Sequence, residues 1–350
     1  MKHVSINGRK IGEDQPPYVV AEVSANHNGQ IEKAMAIMTA AKNAGADAIK
    51  LQTYTPDTLT LDCDKSDFMI KDGLWNGYKL YDLYQQAHTP FEWHKELFDH
   101  AKRLGITCFS SPFDESAVDL LEDLNAPAYK IASFEVIDLD LIKYVAQTGK
   151  PMIISTGMAN QEEIREALDA ALSHGCSELI LLHCISAYPA PIEESNLRTL
   201  QDMTQRYSVL SGLSDHTLGT TASIAAVALG ACFIEKHFTL SREDIGPDSQ
   251  FSLEPDELKY LCKATRDAWL ALGQIGYDHK DSEKSNTMLR RSLYFVEDAK
   301  KGDVISNKNV RSIRPGFGLP PKHYQSILGK QLIRDVERGN PVVWLDIGQN

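Results

Sequence analysis

The sequence predicts an α/β protein, a TIM (β/α)8 barrel followed by a small all-β domain. Short apolar or β-branched runs alternate with amphipathic stretches eight times within about 270 residues, the count and length of such a barrel. Several helix-to-strand junctions carry glycine, as at Gly45, Gly105, Gly149, Gly175 and Gly230, and Gly just past a helix supplies the left-handed cap. After Gly273 a polar stretch without period gives way to short segments separated by KKGD, RPGFG and ERGNP turns.

Taken in order, the barrel strands are expected at residues 18–25, 48–53, 107–111, 128–133, 152–156, 179–184, 209–213 and 232–237. Runs that are apolar throughout suit parallel strands covered on both faces. The first helix shows its period through Ile31, Ala34, Met35, Met38 and Ala41; the last, over 258–272, through Leu258, Leu261, Cys262, Ala268, Trp269 and Leu272. An open doubly wound sheet would place GxGxxG after the first strand, and none stands there. Strands two and three are separated by nearly twice the usual interval. The insertion, residues 54–90, carries Trp75, Tyr78, Tyr81 and Tyr84 where βα loops build an active site. It is either a lid that selects substrate or an extra helix packed on the rim. In the tail, strands are expected at 292–296, 310–313 and 341–345. The barrel domain is set at residues 1–279, a linker at 280–289 and the tail domain at 290–350. A module of about 60 residues makes little core of its own.

Composition bounds the function. Of 350 residues, 43% are apolar and 24% charged, which excludes disorder for most of the chain. The longest apolar run, residues 224–234, is about half of the ~20 residues a membrane span needs. Residues 1–17 are polar and lack the apolar stretch of a signal peptide. The six cysteines contain no CxxC pair, which points to a reducing compartment. A cytoplasmic protein is expected. The net charge of −12 argues against nucleic acid or an anionic membrane as partner. It is unevenly spread: residues 285–350 hold 11 Lys/Arg against 6 Asp/Glu, and the rest of the chain 25 against 42. A basic tail on an acidic body is either solvated surface or suited to docking against an acidic face, its own or a partner's.

Chemistry in a TIM barrel sits at the C-terminal strand ends, and every strand here ends in polar residues. In order they are Glu22, Asn26 and His27; Lys50 and Gln52; Ser110 and Ser111; Lys130, Ser133 and Glu135; Ser155 and Thr156; His183, Ser186 and Tyr188; Ser214, Asp215 and His216; and Glu235, Lys236 and His237. Buried Lys and Glu are costly unless paired or used. Lys50 and Lys130, with Ser111 and Ser133, would make a cationic, hydroxyl-lined patch for a small polyanion such as a phosphorylated acid. Alternatively each Lys pairs with a neighbouring Glu, 22 or 135, as a structural ion pair. His216 and His237 either share one divalent metal or are hydrogen-bonded core histidines. Asp248, past strand eight, is a further polar candidate. His94, His100 and His174 are expected on helix surfaces, and His183 as a satisfied core residue.

The ordered string AEVSANHNG, IKLQTY, SSPFD, YKIAS.E, STGM, HC..AYP, SDHT and EKHFT resembles the sialic acid synthase family, whose members condense phosphoenolpyruvate with an N-acylated sugar aldehyde. The tail, from RSLYFVEDAKKGDVI to ERGNPVV, resembles the antifreeze-like SAF domain that such synthases append. The resemblance covers nearly the whole chain. It implies that Lys50, Ser111, Lys130, Ser133, Ser186 and Tyr188 hold phosphoenolpyruvate and that His216 and His237 bind a divalent metal, usually manganese, with magnesium or cobalt as substitutes. Glu22, Gln52 and Asp248 would face the sugar, with Glu22 also placed to stabilise a cationic carbon. Glu135 would act as a base or orient Lys130. Arg314 resembles the residue that reaches a neighbouring subunit's site and grips the N-acyl group, which implies a domain-swapped homodimer. Ser111 and Ser186 replace the Thr and Asn of the neuraminic branch. The segment GLWNGYKLYDLYQQAHTPFEWHKELFDHAKRLGI is similar to the pseudaminic acid branch rather than the neuraminic or legionaminic ones, and a 6-deoxy, doubly acetamidated sugar presents methyl groups that Trp75 would cover. A metal-dependent TIM-barrel hydrolase would want HxH after strand one, where Asn26-His27-Asn28 stands. A phosphoenolpyruvate aldolase for phosphorylated sugars would normally lack this tail. A non-catalytic binding protein would leave the polar ring without purpose.

Overall fold

The computed structural model describes residues 3–348, and its chain divides into two compact units after Gly273. A hairpin opens the first unit: β1 (Val4–Ile6) and β2 (Arg9–Ile11) pair antiparallel, Val4 opposite Ile11. Asn7 and Gly8 both take positive φ, 48° and 80°, the geometry of a two-residue turn matched to strand twist. This hairpin was not among the expected elements, although the alternation V-S-I-N-G-R-K-I announces it.

Eight parallel strands then close into a barrel: β3 (Tyr18–Glu22), β4 (Ala48–Thr53), β5 (Thr107–Pro112), β6 (Tyr129–Ile131), β7 (Met152–Ser155), β8 (Leu179–Cys184), β9 (Leu210–Asp215) and β10 (Phe233–His237), with β10 returning to β3. Helices connect them, from Ile31–Ala44 to Pro255–Leu272, and the expected TIM barrel is present. Their ends follow local rules: Asp114 accepts from the backbone of Ser116 and Ala117, and Asn160 and Glu163 form a capping box. None of the helices in residues 3–348 is long and apolar enough to cross a membrane.

Successive strand residues face opposite sides, and the core divides accordingly. Outward residues such as Val19, Ala21, Ile49 and Leu51 pack beneath the helices. Inward residues Tyr18, Val20, Ala48, Phe109, Ile153, Leu182, Leu210 and Phe233 fill the lower barrel, and the hairpin adds Val4, Ile6 and Ile11 to the same cluster. The lower interior is therefore a plug of side chains. The polar groups begin one layer higher.

Gly212 on β9 is part of that plug. A Cβ there would stand 2.3 Å from the Phe233 carbonyl oxygen and 2.7 Å from Leu182 Cδ2, so the larger neighbours own the space. The second unit contains β11 (Ser292–Phe295) paired antiparallel with β12 (Val310–Ile313), around Leu293, Phe295, Ile305, Val310, Ile327 and Val342. The strand expected over 341–345 is not one: Pro341 makes a single bridge to Tyr294, and Trp344–Asp346 turns as a 3-10 helix. Asp346 explains the turn, accepting from the Val343 backbone at 2.9 Å and Arg334 Nε at 2.5 Å. Residues 280–289 hold an exposed 3-10 stretch, Asp281–Leu289.

Gly212→Ala should overpack the lower barrel and lower unfolding stability by about 1–3 kcal/mol, read as a reduced denaturation midpoint with an unchanged m-value.

Candidate active site

Above the apolar plug, the inward positions become charged. Glu22, Lys50, Lys130 and Glu235 are each no more than 3% exposed. Lys50 Nζ lies 2.5 Å from Glu22 Oε2 and 3.7 Å from Glu235 Oε1, and Lys130 Nζ lies 2.9 and 3.0 Å from the two Glu235 oxygens. The four charges alternate and sum to zero. Strand register produces the arrangement, since Glu22 sits opposite Lys50 across β3 and β4, and Ser214 opposite Glu235 across β9 and β10. Ser111 accepts from Lys50 at 3.3 Å, and Ser214 donates to Glu235 at 3.2 Å.

The lysines are thus paired, Lys50 with Glu22 as the alternative reading had it. The partner of Lys130 is Glu235, however, not Glu135. Burial works against charge on Lys50, yet Glu22 and Glu235 hold its pKa above the ordinary value. Burial lowers that of Lys130 despite Glu235. Burial also opposes the charge on Glu235, but Lys130 and Lys50 outweigh it and keep the carboxylate below its usual range. Burial raises Glu22.

Glu135 follows β6 in a short 3-10 turn, Ser133–Glu135. The residue is half-buried, but its Oε2 is enclosed with no hydrogen-bond partner, and burial pushes its pKa up to about 7. A carboxyl with such a pKa changes protonation near neutrality.

On the other side of the mouth, the rings of His216 and His237 stand 5.3 Å apart. Tyr188 lies 4.4 Å from His216, and Phe251 4.9 Å from His237. His216 Nδ1 is committed to the Ile185 carbonyl at 3.0 Å. His237 Nδ1 is enclosed without a hydrogen-bond partner, 4.0 Å from Asp248 Oδ2. Burial holds His237 neutral, the form a metal requires. The orphaned nitrogen and the neutral ring fit a divalent ion. Among the described residues no group of three or more His, Cys, Asp or Glu side chains comes together as a ligand set. Asp248 accepts from the Ser24 hydroxyl, which in turn accepts from Gln52 Nε2 at 3.1 Å, bringing Gln52 and Asp248 together.

Residues 54–90 form Pro56–Leu59, Ser66–Phe68 and Leu80–Ala87, with a tip between. Lys79 closes the base of the tip on Asp62 at 2.5 Å and Asp64 at 3.3 Å. Gly73 and Gly77 turn it with φ of 78° and 86°. Trp75 at the tip donates its indole N–H to the Pro247 carbonyl at 3.1 Å and sets its ring 5.5 Å from Tyr188. The insertion therefore supplies both a rim helix and a cover. Ser133 is buried and Ser186 half-buried at the strand ends, while Arg314 is exposed directly after β12 in the second unit.

Not every polar strand-end residue faces the mouth. Lys236 Nζ pairs with Asp215 at 3.0 Å and donates to the Thr217 carbonyl at 2.5 Å, and Ser223 donates to Asp215 at 2.5 Å. These side chains alternate with Ser214, His216, Glu235 and His237 and tie strands to the outer layer. Thr53, Ser110 and His94 form another such knot, with Thr53 Oγ1 2.6 Å from Ser110 and 2.8 Å from His94. His94 is buried, not on the surface as expected, because that bond draws it under its helix. His183 Nε2 donates to the Ser195 carbonyl at 2.7 Å, and the residue is the satisfied core histidine expected. Glu235 and Ser155 stand among the polar strand-end residues to which the resemblance assigns no role. The two-residue alternation through His237 would have turned Glu235 inward.

Lys236→Met should leave Asp215 buried without its partner and cost about 3–5 kcal/mol of unfolding free energy, measured by urea denaturation.

Comparison with known proteins agrees with this geometry. Residues 37–277 match the NeuB family and residues 290–348 the SAF domain. The chain is 47% identical to a pseudaminic acid synthase of Campylobacter jejuni subsp. jejuni serotype O:23/36, covering 93% of this chain and 95% of the relative. It is 43% identical to a pseudaminic acid synthase of Helicobacter pylori, covering 95% and 98%. Among solved structures, an N-acetylneuraminic acid synthetase of Leptospira borgpetersenii in complex with citrate aligns with a TM-score of 0.73 at 29% identity, over 81% of this chain and 95% of that one. With a barrel that carries its charged quartet at the C-terminal strand ends and a family match across most of its length, this chain belongs to the NeuB family.

Proposed function

We propose that the protein condenses phosphoenolpyruvate with 2,4-diacetamido-2,4,6-trideoxy-L-altrose, by C–O cleavage, to give pseudaminic acid and phosphate. The observation that carries this reading is the identity with two proteins named for that activity, spread over more than nine-tenths of the chain. The site supports it: lysines and hydroxyls suit a small phosphorylated acid, and an aromatic cover suits a sugar with methyl groups.

In this reading Lys50, Lys130, Ser111, Ser133, Ser186 and Tyr188 bind phosphoenolpyruvate. Gln52, Asp248 and Trp75 contact the acceptor, and Arg314 grips an N-acyl group in the site of a partner subunit within a domain-swapped homodimer. His216 and His237 would hold a divalent metal, preferably manganese, which supplies Lewis acidity to the acceptor's aldehyde. The enol carbon attacks that aldehyde, and Glu22 stabilises the cation left at the carbon bearing phosphate. Glu135 accepts a proton from the water that adds there. Collapse of the adduct breaks the C–O bond, releasing phosphate and the nine-carbon 2-keto acid.

Phosphate release with manganese, compared across the diacetamido 6-deoxy altro sugar, its legionaminic-pathway counterpart and N-acetylmannosamine, tests the reading. Release with the first alone, abolished by chelation, is expected. Release with another would keep the mechanism and discard the branch.

Glu135 gives a second expectation. Because burial raises its carboxyl to about 7, the base form is lost as pH falls through that value. The kcat should rise through about pH 7, and Glu135→Gln should remove this rise and cut kcat by about 10²-fold, read from initial rates across pH.

A further inference from the structure

We infer that Ser24 is a positioning residue for the acceptor sugar: its hydroxyl holds Asp248 and Gln52 in one orientation, leaving one oxygen of each to meet hydrogen-bond donors of the sugar. The inference rests on the reading above that Gln52 and Asp248 contact the sugar, and adds the residue that orients them. Ser24 begins the 3-10 turn Ser24–His27, two residues past the end of β3, and is 3% exposed. Its φ is 47°, in the left-handed region that a side chain disfavours and glycine enters freely. Backbone geometry alone would favour glycine here. The strain of a serine is tolerated where its hydroxyl does something that glycine cannot.

That hydroxyl is committed in a fixed direction. Asp248 Oδ2 accepts from Ser24 Oγ and, at 3.4 Å, from the Ala25 N–H. A carboxylate only accepts, so the single hydroxyl proton of Ser24 goes to Asp248. Ser24 Oγ is then left to accept, and Gln52 meets it with Nε2 at 3.1 Å. This decides which way round the Gln52 amide stands, with its N–H group on Ser24 and its Oε1 turned away. Both bonds to Asp248 fall on Oδ2, and among the described residues no hydrogen bond is made to Asp248 Oδ1 or Gln52 Oε1. Two open oxygens tied to one hydroxyl call for two donors, such as two sugar hydroxyls, or a hydroxyl and the N–H of an acylamino group. The Ser24 backbone N–H, meanwhile, donates to Glu22 Oε1 at 2.9 Å, a bond independent of the side chain. Removing the hydroxyl therefore loosens the sugar-facing pair and leaves Glu22 held as before.

The inference is tested by steady-state phosphate release with manganese, each substrate varied in turn, for wild type, Ser24→Ala, Ser24→Gly and Asp248→Ala. Ser24→Gly removes the hydroxyl and suits the positive φ, so it keeps the test valid even where Ser24→Ala fails to fold. In both Ser24 variants the sugar KM should rise about tenfold, the scale of one hydrogen bond to a charged group. The phosphoenolpyruvate KM should stay within about twofold of wild type, a split that a merely structural role would not give. An unchanged sugar KM in Ser24→Gly would overturn the inference. Equal rises in both KM values, or a Ser24→Gly that fails to fold or to turn over, would overturn it too. Asp248→Ala separates the inference from the reading beneath it, and should raise the sugar KM at least as far as Ser24→Gly or abolish turnover. Sugar kinetics unaltered by Asp248→Ala, or a folded wild type that releases phosphate with no acceptor sugar, would overturn that reading and the role of Ser24 with it.

Discussion

The alternation Glu22–Lys50–Glu235–Lys130 in the upper barrel governs what the rest of the molecule can do. Four ionised groups removed from water would each cost several kcal/mol alone, and only their interleaving makes the arrangement tolerable. The quartet also keeps the mouth from closing over. An apolar side chain at any of these positions would leave a neighbour unpaired, so the upper interior must remain polar while the lower interior packs to the density of an ordinary core. When an anion arrives, it competes with the two glutamates for the two lysines. Each lysine that turns to the anion exposes a carboxylate, and in the proposed reaction those carboxylates face a carbon that becomes positive. The groups that neutralise the empty site thereby supply the field needed in the transition state, with little rearrangement of the backbone.

The same strands carry a second set of buried charges with a different duty. Asp215 and Lys236 lie one residue away from His216 and His237 and are as deeply buried as the quartet. Yet they point outward, and the Asp215 carboxylate is bound by Thr217, Ser223 and Lys236. Its bonds reach from β9 to β10 and to the helix Thr221–Ala228, so it fixes the strand ends that present the histidines. Polarity at a strand end is therefore no measure of contact with substrate. Parity along the strand decides it.

This explains how much could be read from sequence. The eight strands were legible because a parallel strand covered on both faces is a continuous apolar run, and no competing pattern disturbs it. The N-terminal hairpin is less legible because its six strand residues are half polar, although Asn7-Gly8 marks the turn. The tail misled in the opposite sense. Pro-Val-Val-Trp-Leu has a strand's composition, but Asp346 captures the Val343 and Arg334 donors and winds the segment into a turn. For the site, the lysines, histidines and Glu22 were legible as residue types. Their partners were not, because Glu235 lies 105 residues from Lys130 and only barrel closure brings them together.

The division of labour across the mouth follows from the rigidity of its parts. The lysine side stands on strands and on short turns fixed by the closed hydrogen-bonded barrel, where a displacement would break several ion pairs at once. The histidine side is covered by long connections: the tip that bears Trp75, and the loop after β10 that bears Pro247 and Asp248. One indole N–H to a carbonyl joins the two, and the ring contact with Tyr188 carries the cover to the histidine pair. Loops held by so few bonds can change sequence without disturbing the charged layer. In the proposed reaction the strands would carry the chemistry and the loops the contact with the sugar.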